Sequence, residues 1–387
     1  MSVAKRIREV VDCISDVRCA CDVKLALADI LTISMCAILA GHEALDDMIL
    51  YAEMNSDWLQ KRFGIERLPS ESTLRRVLKL VSPVELGQAT LSLMQEAIGG
   101  SGDIIAIDGK AIRSTEKMAQ LKRGMRILSA YDTKTSITLG QLEVGEKTNE
   151  IPVMLELLPL LEIGGRIITA DAMHCQRKTC EAIIKGGGDY VFQVKKNQAE
   201  LYEVIQGVMD KDIAEDPEAL ETAESYNQCH GRKEHRICYL ERVDWLDGKE
   251  TWAGLNLFIA VDRIVEEKGD LCTERSYYIS SLLGTAHHIL QIVREHWKIE
   301  SMHWMLDVTF HEDACRVQDA VLQMNLNLLR KMALALHKNY LAALEASGAM
   351  KKEMRSLKQN MKRCNMNHRV LEAVILQDIT FAKKQVE

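Results

Sequence analysis

Two apolar runs that each lead into an aspartate constrain this chain more than any other feature. Ile104-Ile105-Ala106-Ile107 runs into Asp108-Gly109-Lys110, and Ile167-Ile168-Thr169-Ala170 runs into Asp171-Ala172-Met173-His174. Short β-branched runs bounded by turn residues read as buried strands, so each aspartate is expected at a strand end. A third acid, Glu300, follows His296-Trp297-Lys298-Ile299 inside a helical pattern. The ends of neighbouring strands in an α/β layer open onto a crevice. Two aspartates and a helix-borne glutamate converging there suit a pair of divalent ions, the chemistry that cuts and rejoins phosphodiesters. Magnesium, which prefers oxygen ligands and keeps several waters, needs few carboxylates.

Each acid also has a plainer reading. Asp108-Gly109 is common turn chemistry, Asp171 suits a cap for the next helix, and Glu300 suits a partner for Lys298 or a solvated acid. Their joint order on these elements carries the signal, not any one of them.

The surrounding pattern is α/β. Residues 1–97 read as a helical domain: the apolar stretch 25–41 is followed by Leu45, Met48, Ile49, Ala52, Trp58, Leu59 and Phe63 at helical intervals. Ser70 suits an N-cap for a short helix that exposes Arg75 and Arg76, either as a DNA-reading helix or as a solvated face. Over 98–221 strands alternate with helices, one of which starts after Thr148 or Asn149 with Pro152 in its first turn. Residues 222–282 turn β-rich, with a hairpin turn at Glu266-Glu267-Lys268-Gly269-Asp270. Helical periodicity resumes over 283–345 and carries Glu300, and 346–387 reads as a basic helical tail. The β-rich segment is therefore an insertion between the second aspartate and the glutamate.

Composition narrows the class. With 47% hydrophobic residues and 5 prolines the chain is folded and helix-rich. The stretch 25–41 contains Asp29 and is too short for a comfortable membrane span, which favours a buried helix. No secretory segment follows Met1, so a cytoplasmic protein without a membrane is expected. The 11 cysteines include no Cys-x-x-Cys pair, which points to reduced thiols. Cys229-His230 with His235 and Cys238 is the only cluster resembling a zinc site, and its strand-like setting disfavours one. The net charge of −7 counts against general coating of nucleic acid. A local excess remains in Lys351, Lys352, Arg355, Lys358, Lys362 and Arg363 against Glu353.

At these residues the chain resembles DDE-type insertion-sequence transposases, in particular the H-repeat-associated group. Besides the three acidic signatures, the resemblance is carried by Leu39-Ala40-Gly41, Pro69 to Val77 and Glu146-Lys147-Thr148-Asn149-Glu150-Ile151. It continues through Val194-Lys195-Lys196-Asn197-Gln198, His230-Gly231-Arg232, His303-Trp304 and Leu306 to Asp313. The resemblance implies an RNase-H-like catalytic core interrupted by the β-rich insertion, with Asp108, Asp171 and Glu300 as a triad for Mg²⁺, which Mn²⁺ would replace. It implies double-stranded DNA as partner, both element ends and target, a homodimer on DNA, and a freed 3′-hydroxyl that attacks the target. In the wider superfamily a Tyr, an Arg and a Lys accompany the glutamate; here those places hold Val293, His296 and Asp307, so their phosphate-contact roles are not carried over. His296 stands where the Arg would. Lys110, Arg113, Lys195, Lys196 and Arg232 are expected near DNA phosphates, or serve only solubility. His174 either orients Asp171 or a metal-bound water, or caps its helix. A domesticated copy that only binds DNA, and a metal-dependent nuclease without strand transfer, are the alternative functions.

Overall fold

Strands β1 (Ile104–Ala111), β2 (Arg126–Asp132), β3 (Thr138–Val144), β4 (Ile167–Ala170) and β5 (Asp189–Val194) form one half of a nine-stranded sheet. In this computed structural model, which describes residues 2–19, 23–113, 115, 124–145, 148–229, 231–348 and 356–380, the order is β3-β2-β1-β4-β5. β2 runs antiparallel to both β1 and β3, while β4 lies parallel to both β1 and β5. The β-rich segment supplies β6 (Glu221–Cys229), β7 (Arg232–Arg242), β8 (Leu257–Glu267) and β9 (Asp270–Ser280). These strands continue the sheet, because β9 pairs antiparallel with β5 through Phe192 and Ile279. The hairpin between β8 and β9 turns on Lys268 and Gly269, both with positive φ (54° and 92°). Such a two-residue turn matches the right-handed twist of its strands.

The strand-end expectation is corrected for Asp108. β1 runs past it to Ala111 on the β2 side; only its pairing with β4 stops, at Ile107 against Ala170. The next residues along the two parallel strands are Asp108 and Asp171, which therefore emerge side by side. Burial explains the boundary. Residues 105–107 and 168–170 are buried, and the strands lose their cover where a carboxylate begins, since an ionised acid left without partners in the interior is costly.

Helices α1 (Val3–Val11), α2 (Leu27–Leu39), α3 (Leu45–Met54), α4 (Ser56–Phe63), α5 (Glu71–Leu78) and α6 (Pro83–Ile98) precede the sheet. Ser70 caps α5, its hydroxyl accepting from the Thr73 N–H at 3.3 Å. Within the sheet region lie α7 (Glu150–Leu157), α8 (Arg177–Lys185) and α9 (Ala199–Glu215). Asn149 rather than Thr148 caps α7, accepting from the Ile151 N–H. After the sheet come α10 (Ala286–Val308), α11 (Ala320–Ala346), α12 (Leu357–Met366) and α13 (His368–Leu376).

α2 is buried almost all round, which is why its sequence shows so little polar face. Among the described residues no helix is long and apolar enough to cross a membrane. The early helices do not pack on themselves alone. Ile38, Leu78 and Leu93 share one hydrophobic cluster with Ile299, Leu329, Tyr340 and Val374, so α11 acts as the spine between the helical layer and the sheet. Within the segment 346–387, expected as a basic helical tail, α12 and α13 bury Met361, Cys364, Leu371 and Val374 in that cluster. Lys351, Lys352 and Arg355 lie outside the described residues, as do Glu146, Lys147 and His230. Of the cysteine and histidine cluster, Cys238 is buried, and His235 stacks on Tyr226 and pairs with Glu224.

One tie between α11 and the sheet titrates. Lys331, 4% exposed, donates to Ser129 Oγ and Gln141 Oε1, both at 2.7 Å. Burial pushes its ammonium down to about 7. The folded state thus holds this proton less tightly than the unfolded state, whose lysine titrates near ~10.4. Between these values the unfolded chain binds more protons, so stability rises with pH across that window. Urea unfolding of wild type and Lys331→Met from pH 7 to pH 10 is expected to show wild type gaining on the variant by a few kcal/mol. A difference independent of pH contradicts a displaced proton here.

Candidate active site

α10 crosses β1, β4 and β5 and turns one stripe of side chains toward the two aspartates. His296, Glu300, His303 and Asp307 recur at helical spacings of four, three and four, so they share a face. Three of them meet a partner on the strands. His296 Nδ1 lies 3.0 Å from Thr169 Oγ1, and its Nε2 lies 3.8 Å from Asp171 Oδ1. His303 Nδ1 is 3.3 Å from Asp108 Oδ2, and Asp307 Oδ1 accepts from Lys110 Nζ at 2.5 Å. The Gly109 N–H also donates to Asp108 Oδ1 at 2.8 Å. Trp304, next to His303 on this helix, is 62% exposed.

Titration behaviour records how the acids sense one another. Loss of water pushes the Glu300 carboxyl up, and the negative charges of Asp108 and Asp171 push it further, against His296 and Lys195. Glu300 therefore lies within electrostatic reach of both aspartates. Asp171 is held below the usual range, chiefly by His296 and also by Lys195 and His174. At 3.8 Å the His296 contact is longer than a hydrogen bond. Burial lowers His303 although Asp108 opposes it. Among the described residues no three His, Cys, Asp or Glu side chains already stand close enough to cage a metal ion. The donors nonetheless suit a hard cation: three carboxylates near one another, two of them raising the third, with Asp171 still 55% exposed.

Of the plainer readings, that of Glu300 as a solvated acid stands, because the residue is exposed. Asp171 makes no capping bond from its side chain. Asp108 sits within a paired strand, and Lys298 is engaged by Thr133 O and Glu295 rather than by Glu300. Nor does His174 cap a helix: it is wholly buried, and neither ring nitrogen has a hydrogen-bond partner. Its Nε2 lies 3.4 Å from Glu150 Oε2.

The basic residues divide. Lys110 is corrected: it is 9% exposed, and its ammonium donates to Asp307, to Glu312 at 2.7 Å and to His303 O. Asp108 and Lys110 lie two apart on β1 and so on one face, which turns Lys110 inward to α10 instead of outward to solvent. Lys195 and Lys196 are exposed just beyond β5, and Lys195 acts on both Asp171 and Glu300. Arg113 is 80% exposed, with its backbone N–H on Asp313. Arg232, further along the sheet, lines a recess with Arg236, Arg263 and Trp297. Arg75 and Arg76 are exposed on α5, far along the chain from this site, and Arg75 pairs with Glu71 at 2.7 Å.

Sequence reasoning missed the roles of His303, Asp307 and Glu150. The first two were readable as the continuation of the His296 and Glu300 stripe; Glu150 carried no periodic signal. Its carboxylate packs against Gly109, where an added Cβ would collide with it. Because that carboxylate ends a flexible side chain, Gly109→Ala is expected to lower stability by only about 1 kcal/mol while displacing Glu150. Thermal unfolding checks this, and a loss of most of the folded state contradicts it.

Comparison with known proteins converges on one family. The family described as "Transposase DDE domain" matches residues 99–336, and "DDE_Tnp_1-associated" matches residues 8–94. The "H repeat-associated putative transposase YhhI" of Escherichia coli (strain K12) is 34% identical over 323 residues, 81% of this chain and 85% of that protein. "H repeat-associated putative transposase YbfD" of the same strain is 34% identical over 235 residues, 60% of this chain and 92% of that one. Among solved structures, the piggyBac transposase synaptic complex with hairpin DNA aligns at a TM-score of 0.46 and 14% identity, over 100% of this chain and 81% of that chain. That likeness is too slight to fix the fold. The two family matches and the extent of the relatives together show that this chain belongs to the DDE transposases, alongside H-repeat-associated proteins.

Proposed function

We propose that the chain is a DNA transposase that hydrolyses a phosphodiester at each end of a mobile element and joins the freed 3′-hydroxyl to target DNA. The observation that carries this reading is the convergence of Asp108 and Asp171, neighbours on parallel strands, with Glu300 on the helix that crosses them. The strand order β3-β2-β1-β4-β5, antiparallel then parallel, supports an RNase-H-like core.

Asp108, Asp171 and Glu300 would hold Mg²⁺. When bound, the ions supply an activated water and neutralise charge at phosphorus. The chain's own residues do the positioning. His303 holds the Asp108 carboxylate from the helix side, and His296 stands 3.8 Å from Asp171. Lys195 brings positive charge to the open side of the acids, where a DNA phosphate must approach. Lys196 and Arg113 extend that edge, and Arg232 offers a contact further along the sheet. Arg75 and Arg76 on α5 are the candidates for reading the element end. With a net charge of −7, binding must rest on these local groups and fall steeply with salt. Two ends must be held at once, which calls for a dimer on DNA.

The test is to incubate the full chain with duplex carrying the element's inverted ends, a target plasmid and Mg²⁺. Expected are cuts that expose 3′-hydroxyls, joined products, support by Mn²⁺, and binding without cutting in Ca²⁺. Binding without cutting in Mg²⁺ would favour a domesticated DNA-binding copy. Cutting without joining would favour a nuclease. Turnover in chelator would overturn the metal reading.

A further inference from the structure

Glu150 lies outside the three acids yet touches the segment that carries each aspartate. It opens α7 directly after the Asn149 cap, and its side chain is 12% exposed. One side of the carboxylate rests on Gly109, the residue after Asp108, so closely that no Cβ fits there. The other side faces His174, three residues beyond Asp171, with Nε2 to Oε2 at 3.4 Å. His174 is the independent sign that this contact is built for something. Its ring is 0% exposed and neither nitrogen has a hydrogen-bond partner. A buried imidazole left unbonded is costly, and Glu150 is the acid that stands against it.

We propose that Glu150 is a positioning residue of the centre: a wedge that sets the spacing of the Asp108 and Asp171 segments, acting through Gly109 and through His174. It touches neither metal nor DNA. Asp108 is tied from above by His303 on α10, whereas Glu150 supports the same segment from α7, so the strand ends are held from two directions. The proposal rests on the reading of Asp108, Asp171 and Glu300 as the metal-holding acids. Outer groups that orient metal ligands typically change metal affinity 10- to 100-fold when removed.

The test is Mn²⁺ binding by the full chain, read from the loss of the free-ion signal in electron paramagnetic resonance, beside thermal unfolding. Glu150→Ala is expected to weaken Mn²⁺ binding by about 10-fold or more. Glu150→Gln keeps the side chain's volume against Gly109 and a polar group facing His174, and should recover most of the affinity. Gly109→Ala, which displaces the carboxylate but leaves the residue in place, should weaken binding like Glu150→Ala and serves if that variant fails to fold. Folded Glu150→Ala or Gly109→Ala with wild-type Mn²⁺ affinity overturns the proposal. Asp108→Asn, measured in parallel, separates the two ideas. If it loses Mn²⁺ while the Glu150 variants do not, only the wedge is wrong; if it also binds normally, the triad reading falls and the wedge with it.

Discussion

Asp108→Asn is expected to lower Mg²⁺-dependent cutting of element-end DNA by about 10³-fold or more, the scale of losing a principal electrostatic group from a preorganised site. The substitution preserves volume, and an amide oxygen still accepts from the Gly109 N–H. It also removes one of the negative charges that raise Glu300. The fold should therefore be untouched, with thermal unfolding near wild type and DNA binding retained in Ca²⁺. Cutting that persists at the wild-type rate would remove Asp108 from the reaction. Lost cutting accompanied by lost folding would mean that the residue is structural.

The second large effect belongs to stability. Glu312, in the turn after α10, is fully buried with Arg330 at 3.4 Å, Lys110 at 2.7 Å and Asn327 at 2.8 Å. Burial pushes its carboxyl up, but Arg330 and Lys110 outweigh that and hold it at about 2. Glu312→Gln keeps the shape and leaves two interior cations short of their counter-charge. Breaking a buried pair in this way costs about 3–5 kcal/mol. Urea denaturation at pH 7 should register that loss. The sign with pH follows from the depressed value. The contribution is complete above the unfolded glutamate's range near ~4.3, and it declines as pH falls toward about 2. Wild type and variant should accordingly converge in acid; a gap that stays constant to pH 2 contradicts the buried anion.

This buried network also bears on the site. Lys110 links β1 to α10 through Asp307 and to the following turn through Glu312. It thereby clamps the strand carrying Asp108 to the helix carrying Glu300. Asp307 on the helix meets an ammonium that comes from the strand. The ion pair faces the interior, so its work is to hold the two elements together.

What was legible in the sequence followed from strong local chemistry. The β-branched runs before Asp108 and Asp171 marked two adjacent parallel strands, Ser70 marked a cap, and Lys268-Gly269 marked a hairpin. Asp108 and Asp171 stood out because each follows an apolar run. The misreadings arose where partners far away in sequence decide the outcome. Lys110 looked like a surface cation because nothing near it announces Glu312, two hundred residues on. How the β-rich segment joins the sheet was not legible, because sequence reports strands but not which edge they join; β9 pairs with β5 through backbone groups that carry no sequence signature. Glu150 looked like the first turn of a helix, which it is, and only the fold brings Gly109 and His174 to it.

The central claim is that Asp108, Asp171 and Glu300 share divalent ions, and cleavage of the protein's own backbone by bound iron tests it most directly. Fe²⁺ is loaded in place of Mg²⁺, and ascorbate with peroxide then generates radicals that cut the chain beside the ion. Fragments ending near residues 108, 171 and 300 are expected, all suppressed together by excess Mg²⁺. Cuts that cluster elsewhere, or that miss one of the three segments while marking the other two, would contradict it.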